Sequence, residues 1–250
     1  MRVIIPAAGK GTRLSISPDA PPKALFQVCG RALLEHVLEQ TSFIPPEDTW
    51  IVVGYKGEEI VARFSDCYHY AWQHQQLGTG HAVAQCAEDF RDYDGVVLVT
   101  FGDMPLFRRE SMQALCQILE EEHAACALLT TNSELFPRWA RILRDAKGRF
   151  ARIIEGKDCT PEQSQITELF AGVLAFESKL LFQYLPQLDT SNVQHEFYLT
   201  EVPEMMARDG LKITTFPTED PDDLRGVNTI DDVALCEQIL EKRKSLIANR

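Results

Sequence analysis

A doubly wound α/β fold on a mostly parallel sheet is what this sequence predicts, and three observations carry that reading. Short apolar, β-branched runs alternate with amphipathic helical stretches through the first half of the chain. The first run, Arg2-Val3-Ile4-Ile5, leads straight into the glycine loop Pro6-Ala7-Ala8-Gly9-Lys10-Gly11-Thr12-Arg13-Leu14. A loop of this kind at the carboxyl end of a buried parallel strand lies where open α/β sheets bind ligands. A third run, residues 96–101, is almost wholly apolar and stops on Gly102-Asp103. With 250 residues and 45% hydrophobic content, the chain can bury a full core in one domain.

Residues 2–6 read as a strand, and 32–40 as a helix with Leu33, Leu34, Val37 and Leu38 on one side. Residues 50–53 read as a strand, 58–64 and 80–90 as helices, 96–101 as a strand, 110–122 as a helix and 125–129 as a strand. The short apolar runs have glycine or proline borders, which favours strand over buried helix. After about residue 138 the pattern changes. Residues 141–143, 150–154 and 168–176 are expected as short strands separated by turns, among them Asp145-Ala146-Lys147-Gly148, and as antiparallel additions on the substrate side of the sheet. Residues 178–184 and 202–208 read as helices, 212–216 as a late strand, and 230–248 as one closing helix. Thr229 is placed to cap that helix, with Asp231 and Asp232 in its first turn.

Composition excludes several classes of function. No 18-residue apolar run and no charged-then-apolar leader is present, so neither a membrane span nor export is expected. The seven cysteines are odd in number, with no C-x-x-C pair. Cys29, Cys86, Cys116, Cys126 and Cys236 lie in apolar or helical stretches, as buried thiols in a reducing cytoplasmic compartment would. The six histidines show no zinc-ligand spacing. A formal net charge of -12 disfavours extended nucleic-acid binding, which needs a broad basic face.

Against that acidic background, Lys10, Arg13 and Lys23 put three cations around one loop. A polyphosphate ligand accounts for them, since Gly9 and Gly11 let main-chain N–H groups approach a phosphate. The loop lacks the third glycine of a dinucleotide fingerprint and is not a P-loop. Asp103 belongs at the same carboxyl edge. A carboxylate beside triphosphate repels it unless a divalent cation lies between them, and magnesium (Mg2+) takes a few protein oxygens plus phosphate and water. Gly226-Val227-Asn228 offers a neutral amide as the second ligand; the alternative role is a helix cap or turn for Asp103 and a turn for Asn228. The stretch Gln73-His74-Gln75-Gln76-Leu77-Gly78-Thr79-Gly80 reads as a polar turn and helix start, whose amides could also recognise a base edge.

The order P-A-A-G-K-G-T-R, P-K, Q-x-x-Q-L-G-T-G-H-A, G-D-x-P-L, A-R-I-L-R, I-I-E-G-K-D, N-x-Q-x-E-F-Y-L-T-E and G-V-N resembles the sugar-1-phosphate nucleotidyltransferases. Within them it is most similar to the uridylyltransferase domain of the bifunctional N-acetylglucosamine-1-phosphate uridylyltransferases, over nearly the whole chain. The resemblance implies a Rossmann-like nucleotidyltransferase fold, magnesium, and formation of UDP-sugar and pyrophosphate from UTP and a sugar 1-phosphate. It implies a nucleotide-binding half (1–137), a sugar-binding half (138–228) and a C-terminal helix (229–250). By matching position, Pro6, Ala7, Ala8 and Gly9, with Gly11, Thr12 and Gly102, would line the nucleotide. Arg13 and Lys23 would balance the reacting phosphates, and Gln73, Gly78 and Thr79 would hold the base. Asp103 and Asn228 would take the metal, while Ala140, Glu155, Phe170, Glu196 and Tyr198 would face the sugar.

The departures from the family pattern cluster on the sugar side. Arg138-Trp139-Ala140-Arg141 stands where the family has a G-Y-G-R turn, and Phe170-Ala171-Gly172 where it has Asn-Thr-Gly. A hexose 1-phosphate without the acetamido group, or another small phosphate ester, is therefore the expected acceptor, with Phe170 and Ala140 setting the choice. No hexapeptide repeats occur, so the acetyltransferase activity of the bifunctional family is not expected. Three alternatives follow from the same residues. They are a cytidylyl- or thymidylyltransferase, an enzyme for a choline-like phospho-alcohol caged by Trp139 and Phe170, and a catalytically silent nucleotide sensor.

Overall fold

The sheet is organised around its first strand, β1 (Arg2–Pro6), in a computed structural model that describes all residues except 16, 18, 135, 138, 249 and 250. A small antiparallel hairpin of β2 (Gln27–Val28) and β3 (Arg31–Ala32) follows the glycine loop and leads into α1 (Leu33–Gln40). Then come β4 (Thr49–Val53), α2 (Gly57–Phe64), β5 (His69–Trp72), α3 (Thr79–Ala84) and β6 (Val96–Val99). The second half runs α4 (Arg109–Glu121), β7 (Cys126–Asn132), β8 (Arg141–Arg144), β9 (Phe150–Ile154) and β10 (Glu168–Glu177). It closes with α5 (Ser178–Tyr184), α6 (Val202–Arg208), β11 (Ile213–Pro217) and α7 (Ile230–Ala248).

Among the described residues the main sheet has nine strands, in the order β11-β7-β10-β6-β1-β4-β5, with β8 and β9 appended to β10. β1 pairs in parallel with β4 on one side and β6 on the other, and β4 in parallel with β5. The chain thus winds outward from β1 through β4 and β5, then returns to its other side for β6. Open α/β sheets bind ligands at such a reversal, outside the carboxyl ends of the strands.

Side-chain alternation builds three layers. On one face Ile4, Trp50, Val52, Val97 and Val99 join Phe170, Leu174 and Phe176 against α3, α5 and α6. On the other, Val3, Ile5, Ile51, Val53, Val96 and Leu98 meet Leu34, Val37, Ile60, Met112 and Leu115 of α1, α2 and α4. Strands buried on both faces read as continuous apolar runs. A third cluster, including Leu14, Val28, Leu106, Val227 and Cys236, seats α7 beside the hairpin.

Four features differ from the sequence expectations. The helix expected over 80–90 ends at Ala84. Beyond it Cys86 N and Ala87 N bond to Val83 O and Ala84 O in tighter i→i−3 turns, which still bury Cys86 and Phe90. β5 was not anticipated. It is an edge strand in which only Ala71 is fully buried and His69 stacks on Trp50 with centroids 4.3 Å apart, so it lacks an apolar run. The β2–β3 hairpin is too short to show periodicity. β10 is not a short addition: it spans ten residues and inserts between β6 and β7, antiparallel to both. β8 and β9 do form the expected antiparallel extension.

Thr229 caps α7 as expected. Its hydroxyl accepts from Asp232 N at 3.3 Å, while the Asp232 carboxylate accepts from Thr229 N at 2.8 Å and Asn228 N at 2.9 Å. Among the described residues all seven cysteines are free, and Cys86, Cys116, Cys126 and Cys236 are buried. Among the described residues no helix is long and apolar enough to cross a membrane.

Candidate functional site

Four segments meet at the carboxyl edge of β1 and β6. The glycine loop leaves β1 with Ala7 N bonded to Val52 O at 2.8 Å, and folds so that Lys23 N reaches Gly9 O at 3.2 Å. Gly11 takes φ +68°, where an added Cβ would lie 3.2 Å from Lys23 Cβ, so the turn needs glycine. After β6, Gly102 N bonds to Pro6 O at 3.0 Å and sets Asp103 beside the loop. Val227 N donates to Asp103 O at 2.9 Å, and the α7 cap fixes the backbone of Asn228.

These contacts bring four predicted residues together. Lys23 Nζ donates to Asp103 Oδ2 and, at 2.8 Å, to Asn228 Oδ1. Arg13 Nη2 donates to the same Asn228 Oδ1 at 2.9 Å. Two cations therefore converge on one carboxylate and one amide oxygen, although the residues lie far apart in sequence.

A cavity of about 230 Å³ opens beside this cluster. Its walls include Pro6, Ala7, Ala8, Gly9, Lys23, Gln73, Gly78, Thr79, Gly102, Asp103 and Glu196. Sequence reasoning did not single out Ala24, Gln76, Ala82 or Phe101, which also line it. Gln76 lies within the Gln73–Gly80 stretch, whereas apolar wall residues carry no chemical signal. Gly11 and Thr12 belong to the loop's turn rather than to the wall, and Leu14 N closes that turn on Gly11 O at 2.8 Å.

The Gln73–Thr79 side of the cavity is braced from behind. Gln73 is buried, and its Nε2 lies 3.0 Å from both Gly78 O and His81 Nδ1, so this amide nitrogen shapes the wall. The Thr79 hydroxyl accepts from Leu199 N at 3.0 Å, while Phe197 N and O bond to Leu77 O and Gly80 N, each at 2.8 Å. This ladder holds Glu196 against the cavity. A wider depression of about 520 Å³ lies across Gln76, lined by Lys10, Tyr55, Glu58, Trp72 and His74. It contains neither Asp103 nor Lys23, which both line the smaller cavity.

The residues expected to face the sugar divide three ways. Glu196 lines the 230 Å³ cavity. Glu155 and Tyr198 line a second cavity of about 330 Å³, with Asp158, Thr200 and Glu201. There the Thr200 hydroxyl donates to Glu155 Oε1 at 2.9 Å, and burial pushes the Glu155 carboxyl above the ordinary range. Ala140 and Phe170 correct the expectation that they face the sugar. Both are buried in the apolar cluster on one sheet face, joined by Phe170 N to Ala140 O at 3.0 Å. Trp139 packs edge-on against Phe136 on the opposite face, which separates it from Phe170 and removes the proposed cation cage. Arg138 lies outside the described residues.

No group of three or more His, Cys, Asp or Glu side chains that could hold a metal occurs among the described residues. The candidate for a hard divalent cation is instead the Asp103–Asn228 oxygen pair. It supplies few protein ligands and leaves the rest of the shell to phosphate and water, as magnesium sites do.

Comparisons with known proteins give the family and the fold. A bifunctional GlmU protein of Limosilactobacillus fermentum is 38% identical over 240 residues, covering 96% of this chain and 52% of that protein. One from Alkaliphilus metalliredigens is 34% identical over 243 residues, with 97% and 52% coverage. The chain thus spans about half the length of the curated relatives it matches. The crystal structure of a UDP-glucose pyrophosphorylase complexed with UDP-glucose superimposes with a TM-score of 0.77 at 14% identity, over 97% of this chain and 98% of the other; at that identity the likeness shows the shared fold. Residues 3–195 match the MobA-like NTP transferase domain, and the chain belongs to that family.

Proposed function

We propose that the protein transfers a nucleotidyl group, uridylyl first among the candidates, from a nucleoside triphosphate to a sugar 1-phosphate, giving a nucleoside-diphosphate sugar and pyrophosphate. The observation that carries this reading is the convergence of Arg13, Lys23, Asp103 and Asn228 beside a glycine loop at the β1–β6 edge. The homologous GlmU proteins support the uridylyl donor. Residues 1–137 serve as the nucleotide half, 138–228 as the acceptor half and 229–250 as the closing helix, in a cytoplasmic enzyme.

An acceptor phosphate oxygen forms a bond to the α-phosphorus while the bond to the bridging α–β oxygen breaks, and pyrophosphate leaves. The attacking oxygen is already anionic, so no strong general base is required. Positioning two anions and offsetting their repulsion is the work of the site. Lys23 and Arg13 bring positive charge to the phosphates, and Gly9 and Gly11 allow close main-chain approach. Gln73 and Gly78 shape the base wall, and Glu196 faces the acceptor. Asp103 and Asn228 would hold magnesium, which would supply positive charge against the phosphates. Glu155 and Tyr198 extend the acceptor side through the adjoining cavity.

Pyrophosphate release across four nucleoside triphosphates, each paired with a panel of sugar 1-phosphates, tests the reading. UTP is expected to give the highest kcat/KM. Release with no pair would reject nucleotidyl transfer, and a preferred cytidine or thymidine donor would reject the uridylyl assignment.

A further inference from the structure

Lys23 contacts both oxygens that the proposed function gives to the divalent cation, Asp103 Oδ2 and Asn228 Oδ1. The side chains of Lys23 and Asp103 are only 15% and 27% exposed, so this pairing sits in a poorly screened position. Arg13 adds a second positive charge at Asn228 Oδ1. Without nucleotide, the carboxylate is therefore already neutralised. An ammonium and a divalent cation bound to the same oxygens repel each other, so one must leave for the other to settle. Lysine suits such a change because its charge is compact and its stem flexible.

We infer that Lys23 is the resident counter-ion of the Asp103–Asn228 oxygen pair and changes partner when the nucleotide's metal arrives, passing from Asp103 to the phosphates. The inference rests on the reading of Asp103 and Asn228 as cation holders. No covalent bond forms or breaks in the exchange. A bare divalent cation has to expel an ammonium that has no other anion to meet, so it binds weakly. A metal–triphosphate complex brings phosphate oxygens that receive Lys23. One side chain thus keeps Asp103 from repelling incoming triphosphate and later binds that triphosphate, and metal and nucleotide favour each other's entry.

The probe is Mn2+ alone, followed by electron paramagnetic resonance without nucleotide. Lys23→Met retains the stem and removes the charge, and is expected to bind Mn2+ about tenfold or more tightly than wild type, a modest ratio for one opposed charge. Adding Asp103→Asn should abolish the gain. An unchanged affinity in Lys23→Met, no measurable binding to either form, or a gain that survives Asp103→Asn overturns the inference. Wild-type protein gives a second readout, amine acylation at Lys23 read by mass spectrometry. Labelling should rise several-fold as Mn2+ saturates the site, and constant labelling at full occupancy also overturns the exchange. Neither readout requires turnover. Exchange without pyrophosphate release would sink the transfer reading alone, and release without exchange would sink this inference alone.

Discussion

The main-chain carbonyl of Asp103 accepts a hydrogen bond from Val227 N–H at 2.9 Å, joining the end of β6 to the start of the segment that caps α7. This link makes a pair of Asp103 and Asn228, whose positions in sequence give no sign of contact. The backbone sets their geometry, so a side-chain substitution at Asp103 tests charge with little change of framework.

Asp103→Asn should raise the magnesium concentration needed for half-maximal activity and lower the maximal rate, because a charged ligand becomes neutral. The check is a magnesium titration of pyrophosphate release at saturating UTP. Full activity of either protein in excess chelator would return Asp103 to the role of a turn residue.

Lys23→Ala removes the ammonium from the centre of the cluster. The backbone bond from residue 23 N to Gly9 O stays, so the loop should keep its fold. One electrostatic contact to a developing phosphate charge is worth about 3–4 kcal/mol, and a rate loss of roughly a hundredfold or more is expected. Near wild-type pyrophosphate release by a folded variant would exclude Lys23 from catalysis.

Much of this site was legible because its parts carry strong local signals. A glycine loop after an apolar strand, and a Gly-Asp after another, each announce the carboxyl edge of a parallel sheet. Both strands stand beside each other in the structure. The β10 insertion was not legible, since an apolar run does not state which strands it will separate. Phe170 misled for a related reason. Its position in a motif aligned it with a sugar contact, but β10 pleating and the irregularity between Phe170 and Leu174 direct it into the core. The bracing of the Gln73–Thr79 wall was also hidden, because Thr79 and Leu199 meet only through tertiary folding.

Gly78→Ala should damage that wall. Gly78 has φ +115°, and an added Cβ would fall 2.6 Å from Phe197 O and 2.7 Å from Phe197 N, both backbone atoms. Backbone strain of this kind costs about 1–3 kcal/mol. Relief would require the 196–199 segment to move, carrying Glu196 off the cavity. A lowered Tm together with a raised KM for the triphosphate is expected; an unchanged Tm and KM would contradict the close approach.

Glu155 gives the protein a definite pH dependence. Burial is the largest influence and raises its carboxyl pKa above 4.5, outweighing the Thr200 hydrogen bond that lowers it. The unfolded chain therefore releases this proton at lower pH than the folded one. The contribution to stability is complete below about pH 4.5 and is lost as pH rises through the folded value. Glu155→Gln carries no such proton. Its Tm relative to wild type should increase with pH through that window, as followed by circular dichroism. A constant difference would show that Glu155 is not held in its neutral form.

Phe170→Asn separates two roles for the aromatic ring. A residue on the acceptor wall would change the ratio of kcat/KM values for N-acetylglucosamine 1-phosphate and a plain hexose 1-phosphate, by about 1–3 kcal/mol in transition-state terms. A core residue would instead lose stability. Phe170 is 5% exposed and packs with Ala140, Ile153 and Leu174, so asparagine would leave a void and bury an unpaired amide. Removing a buried phenyl ring costs about 3–5 kcal/mol, with a further penalty for the unpaired polar group. The expected outcome is a Tm several degrees lower with an acceptor ratio close to wild type. A shift of tenfold or more towards the acetamido sugar at unchanged Tm would put the ring back on the acceptor wall.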